Sequence, residues 1–207
     1  GTEAEFKNMI KQCNAVGVDI IADVVLNQTT GADVADGKQT GVAGTEYNGS
    51  TGDYPGFATE QYPEGITASD FHSCSKNISN YANQQEVQEC RLSSMWDFDS
   101  ESEKVQDIQS DYLAALWNAG VRGFRMDAVK HIHTDSMKAI KEKFAKKIGV
   151  NADSIYWIQE VIGNSSEAAG IQPSNYVQNG TVTEFGFKSE MNQTFKDKIA
   201  NLKGLNE

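Results

Sequence analysis

Basic residues are scarce in this chain: 18 Lys and Arg stand against 29 Asp and Glu in 207 residues, for a net charge of −11. That leaves no basic field to hold a phosphate backbone, so nucleic acid is not an expected partner. Long apolar runs are missing as well; none approaches the ~20 residues that span a bilayer, and no membrane association is expected. Residues 1–6 have neither the basic nor the apolar region of a secretion signal and read as the start of a helix. Histidine is almost absent. His131 and His133 stand as a His-x-His pair without another His or Cys nearby, an incomplete transition-metal site. With 39% hydrophobic residues, what remains is a globular chain able to bury one core and a small second lobe.

Three short runs carry the organisation. Residues 121–127 read as a strand with Val121, Gly123, Arg125 and Asp127 on one face and Phe124 and Met126 on the other, apparently buried on both sides. Residues 19–27 align Asp23, Val25 and Asn27; residues 154–162 align Tyr156, Ile158 and Glu160. Each run ends in an acid on one face, which predicts a carboxylate-lined pocket at one rim of a sheet. A buried Arg-Asp pair that only sets register is the plainer reading of Arg125 and Asp127.

Helical spacing surrounds these strands. Thr2 and Glu5 have the form of a capping box, with Phe6, Met9, Ile10 and Cys13 on one face up to Gly17. A second helix carries Val105, Ile108, Tyr112 and Leu116 and stops at Gly120. A third carries Met137, Ile140, Phe144 and Ile148 and stops at Gly149. A short strand over 181–185 and a helix over 189–202 follow. Alternation of this kind predicts a parallel α/β sheet. The stretch 28–100 differs, being rich in Gly and aromatics, and reads as either disordered or a small inserted domain. Cys74 and Cys90 within it are either two buried thiols or a disulfide, which would add roughly 3 kcal/mol over a loop of this length. A small Gly-rich lobe favours the staple. Cys13 reads as a core thiol.

The runs Asp23-Val24-Val25-Leu26-Asn27, Gly123 to His131 and Gln159-Glu160-Val161-Ile162 resemble three of the four signature stretches of the α-amylase family, glycoside hydrolase family 13. Asp53-Tyr54-Pro55-Gly56, Cys90-Arg91-Leu92 and Val182-Thr183-Glu184-Phe185 extend the likeness, most of all to animal and actinobacterial members. The resemblance implies a partial TIM (β/α)₈ barrel, about strands three to six, formed by 1–27 and 101–207 with domain B inserted at 28–100. It implies Asp127 as nucleophile and Glu160 as general acid/base of a retaining, endo-acting hydrolase of α-1,4-glucans. Such pairs stand ~5–5.5 Å apart. Arg125 would keep Asp127 ionised, and the run Tyr156-Trp157-Ile158 would hold the Glu160 proton. Lys130, His131, Tyr81 and Gln28 fall on sugar-binding positions, and Asp23 on an acid that supports Arg125. Asn27, Asp97 and the carbonyls of Gln88 and His131 fall on structural Ca²⁺ ligands, with a chloride site near Arg125.

Two features depart from the family. Gln28 stands where it has His, which keeps an amide donor with a different reach. Its fourth signature, carrying a third carboxylate, lies beyond the region matched by this chain. The expectation is the central piece of a secreted, monomeric enzyme, inactive and prone to association by itself. A transglycosylase or debranching enzyme, or a non-catalytic glucan-binding piece, are the alternatives.

Overall fold

A computed structural model of the protein describes residues 1–29, 38–41, 44, 46–48 and 66–196. Helix α1 (Glu3–Ala15) begins with the expected capping box, the Thr2 amide donating to Glu5 Oε2 at 2.7 Å and the Glu5 amide to Thr2 Oγ1 at 3.3 Å. Gly17 follows its end with a φ of +77°, a left-handed turn that suits glycine. Only Ile10 of its expected core face is buried. Met9 is exposed, and Cys13 is a partly buried free thiol rather than a core one.

Then come β1 (Ile21–Val24), β2 (Lys38–Thr40), β3 (Glu46–Asn48), α2 (Gln84–Glu89), α3 (Glu103–Asn118), β4 (Gly123–Met126), α4 (Thr134–Ile148), β5 (Tyr156–Gln159), β6 (Thr181–Val182) and α5 (Gly186–Lys196). Strands β1, β4, β5 and β6 pair in that order, all parallel, as a partial barrel wall. Helices α3 and α4, the crossovers on either side of β4, pack against each other. Strands β2 and β3 form a separate antiparallel pair. Residues 53–56 lie outside the described residues, as does the end of the helix expected to reach 202.

Register decides what each face carries. Asp23 lies beside Arg125, which lies beside Ile158, while Val24, Met126 and Gln159 alternate with them. Val24, Phe124, Met126 and Trp157 point to the helices and join Leu113, Ile140 and Phe144 in the buried core. At ~1.5–3 kcal/mol per buried large side chain, this face anchors the wall. The Arg125 face, expected to be buried, is open instead: Ile21, Val25 and Tyr156 are 48%, 47% and 54% exposed, with no described element lying over them.

The strands are only four residues long, so alternation does not carry beyond them. Val121, expected on the Arg125 face, is in the core, and Asn27, expected to share a face with Asp23, is buried. The stripe on α3 is also rotated. Val105, Gln106, Gln109, Ser110 and Leu113 are buried, while Tyr112 is exposed. Cys74 and Cys90 are disulfide-bonded, with Cα atoms 4.9 Å apart. Isolated antiparallel bridges, Gln28 to Asp97 and Phe71 to Phe98, stitch the segment before α3 to the exit of β1 and to residue 71.

Candidate active site

The site forms where β1, β4 and β5 end side by side. Arg125 Nη1 donates to Asp23 Oδ1 at 2.8 Å and to Asp127 Oδ1 at 2.7 Å, and Nη2 lies 2.6 Å from Glu160 Oε1. One guanidinium thus gathers the three acids that the sequence placed at strand ends. The three carboxylates, Asp23 foremost, raise the Arg125 pKa further. A guanidinium has five N–H donors, so Nε and one N–H of Nη2 remain for an anion.

The turn after β4 clamps the second acid. Glu160 Oε2 accepts the Ala128 amide at 3.0 Å, the Glu160 amide donates to the Met126 carbonyl at 2.9 Å, and Val129 donates to the Glu160 carbonyl at 3.0 Å. Ala128 adopts a φ of +49°, a strained setting of the order of 1–3 kcal/mol for a residue with a Cβ. That strain aims its N–H at the carboxylate. Of the apolar run expected around Glu160, Trp157 is in the core on the other face, Tyr156 is exposed and Ile158 is partly buried on the Glu160 face.

Asp127 and Glu160 border a cleft of about 410 Å³ with Gln28, Tyr81, Lys130 and His131 on its walls. The four residues expected on sugar-binding positions, Gln28, Tyr81, Lys130 and His131, all line it, whereas Arg125 and Asp23 do not. Sequence reading missed Leu92, Met95, Ile162 and Glu167 on the same walls. Lys130 Nζ reaches the Ile162 carbonyl at 2.8 Å and Glu167 Oε2 at 2.9 Å, and sits 4.7 Å from the Tyr81 ring centre. Its charge is therefore matched, and it ties the 160s loop to the Tyr81 ring. His131 is nearly buried, and burial takes its pKa down to about 4. Its Nδ1 donates to the Val87 carbonyl at 2.9 Å, which leaves Nε2 as an acceptor on a neutral ring. A drier groove of about 320 Å³ lies beyond Gln28, lined by Val25, Phe71, Ile108 and Tyr112 among others, without a carboxylate or histidine.

The residues expected to hold calcium come as two neighbouring pairs. Asn27 Nδ2 donates to Asp97 Oδ1 at 2.9 Å, both residues being buried, and Asn27 Oδ1 has no hydrogen-bond partner among the described residues. Burial pushes Asp97 up to about 6, although His72 at 2.7 Å and Asn27 pull the other way. An orphaned amide oxygen beside a buried carboxylate fits a hard cation. The His131 ring bonds the Val87 carbonyl, next to Gln88, whose side chain donates to Tyr176 Oη at 3.1 Å. Burial opposes charge on His72, yet Asp97 and Glu101 outweigh it and hold its pKa up to about 10.

The family model "Alpha amylase, catalytic domain" matches residues 1–203. The chain is 37% identical to an alpha-amylase of Aeromonas hydrophila over all of this chain and 42% of that protein. It is 33% identical to an alpha-amylase of Streptomyces violaceus over all of this chain and 32% of that one. Among solved structures, alpha-amylase I of Eisenia fetida superposes with a TM-score of 0.73 at 35% identity, covering 90% of this chain and 37% of that chain. A mutant of the same enzyme, at 34% identity and TM-score 0.73, is a complex with maltohexaose. The chain thus spans between a third and about two fifths of these relatives' length.

Proposed function

The chain belongs to the alpha-amylase catalytic-domain family, and from that premise we propose that it is the central part of a retaining, endo-acting hydrolase of α-1,4-glucosidic bonds in starch- and glycogen-type glucans. One observation carries the reading: Asp127 and Glu160 share the Arg125 guanidinium at the edge of the cleft.

In this mechanism Asp127 attacks the anomeric carbon while Glu160 protonates the departing glycosidic oxygen; a glycosyl ester forms on Asp127 as the bond to the leaving sugar breaks. Glu160, now a carboxylate, takes a proton from water, and the resulting attack releases the sugar with its configuration retained. Arg125 holds the two carboxyls in place, and Asp23 holds Arg125. Neutral His131 accepts from a sugar hydroxyl through Nε2, Tyr81 offers an aromatic wall, and Gln28 donates an amide N–H. Residues 28–100 correspond in this reading to the inserted domain B.

A Ca²⁺ ion suits Asn27 Oδ1, Asp97 and the carbonyls of Gln88 and His131, where it would supply a fixed charge joining the insert to the barrel rim. The free N–H groups of Arg125 suit chloride. The disulfide supports an extracellular parent. Spanning between a third and about two fifths of its relatives' length, the chain is expected to be inactive by itself. A non-catalytic glucan-binding role is the second reading, favoured by Gln28; binding without hydrolysis in the completed barrel would select it. In that completed protein, Asp127→Asn and Glu160→Gln should each lower kcat by ~10²–10⁴ or more without changing the circular dichroism. Near-parent hydrolysis by either variant contradicts the assignment.

A further inference from the structure

We propose that His72, Asp99 and Glu101 form a second metal site, built for Zn²⁺ or a similar transition dication and separate from the oxygen-donor group around Asn27. His72 Nε2 lies 3.7 Å from Asp99 Oδ1 and 3.2 Å from Glu101 Oε2, and the three donor atoms all fall within 4.8 Å of one another. A tetrahedral zinc ion with bonds of ~2.1 Å sets its donors ~3.4 Å apart, so the first two spacings bracket what the ion requires.

The donors are also held from behind. His72 Nδ1 is 2.7 Å from Asp97 Oδ2; an ionised carboxylate only accepts, so Nδ1 carries the hydrogen and Nε2 is the atom turned to Asp99 and Glu101. This is the carboxylate–histidine–metal arrangement, which fixes the tautomer and strengthens the ring as a ligand. The second oxygen of Glu101 is 2.7 Å from His133 Nε2, so that side chain is oriented too. Two of three donors therefore have an outer partner, as metal ligands ordinarily do. His72 is 14% exposed while Asp99 and Glu101 are 36% and 39% exposed, which leaves room for the ion to enter and for water to complete its coordination.

The donor chemistry separates this site from calcium, which takes six to eight oxygens; one imidazole nitrogen and two carboxylates suit zinc, cobalt or nickel. The site also has a mechanical consequence. His72 follows Phe71, which bridges Phe98, and Glu101 precedes α3, so a bound ion would cross-link the insert to the start of a barrel helix.

Calorimetric titration of the chain with Zn²⁺, with Ca²⁺ in excess, tests this. One equivalent should bind tightly, and Co²⁺ in its place should give the visible bands of a tetrahedral nitrogen–oxygen site. Asp99→Asn, whose half-buried side chain has His72, at 3.7 Å, as its one ion-pair partner among the described residues, should weaken binding at least tenfold while the metal-free melting temperature stays put; Glu101→Gln should weaken it likewise. No zinc binding to the calcium-saturated chain, or unchanged affinity in Asp99→Asn, would overturn the proposal.

Discussion

Tyr176→Phe should destabilise the protein by ~1.5–3 kcal/mol, a large effect for the removal of one oxygen. Tyr176 is fully buried; its hydroxyl donates to the Ile132 carbonyl at 2.9 Å, with the Lys130 carbonyl at 3.3 Å, and accepts from Gln88 Nε2 at 3.1 Å. Burial raises the phenol pKa far above any working pH, so the group stays a donor. Phenylalanine fills the same volume, so no cavity is made. The cost is one net hydrogen bond, ~1 kcal/mol, plus ~1–3 kcal/mol for buried partners left unpaired. Gln88 Nε2 already lies 3.5 Å from the Ile132 carbonyl and can close part of that gap, which keeps the figure out of the upper range. For a chain of this size the melting temperature should fall by ~3–12 °C. Urea unfolding of parent and variant, followed by tryptophan fluorescence, measures it: the midpoint should drop with an unchanged slope. A change below ~0.5 kcal/mol would mean that the hydroxyl does not tie the Lys130–Ile132 turn to α2.

Glu86 accepts from the Ser79 amide and hydroxyl, both at 2.8 Å, and the Asn80 amide at 3.1 Å, with Lys76 at 3.2 Å; the Ser79 amide foremost holds its pKa down from 4.5 to about 2. Its contribution is therefore complete above pH 4.5 and lost as pH falls toward 2. The melting-temperature gap between parent and Glu86→Gln should narrow across that window, and a gap as wide near pH 2 as at neutrality would refute the linkage. Chelating calcium from the loaded protein should lower the melting temperature, because an ion at 100 times its Kd adds ~2.7 kcal/mol to the native state alone. An unchanged melting temperature would remove calcium from Asn27 and Asp97.

Alternation found the acid face because Asp23, Arg125, Asp127 and Glu160 sit within or just past strands whose neighbours are in register. The same rule failed at Val121 and Asn27, which lie where the pleat has ended. The apolar stripe of α3 misled for another reason. Gln109 is buried by donating to Ser100 Oγ and the Leu26 carbonyl, and Gln106 by donating to the Ser100 carbonyl, partners that hydropathy cannot reveal. Tyr176, Glu167 and His72 were silent because their roles come from residues 25 or more positions away. Ala128 carried no signal at all: its left-handed backbone is imposed by the fold, and alanine is not the residue a turn of that kind calls for.

The central claim is that Asp127 is the nucleophile of a retaining glucan hydrolase. Exposing the completed barrel to a slow fluorinated maltosyl donor and mapping the attached sugar by peptide mass spectrometry tests it directly. The account predicts a single sugar on the peptide carrying Asp127, and a label that persists longer when Glu160, the base of the second step, is replaced by Gln. A sugar esterified to any other residue, or rapid glucan hydrolysis with no trapped sugar, would contradict it.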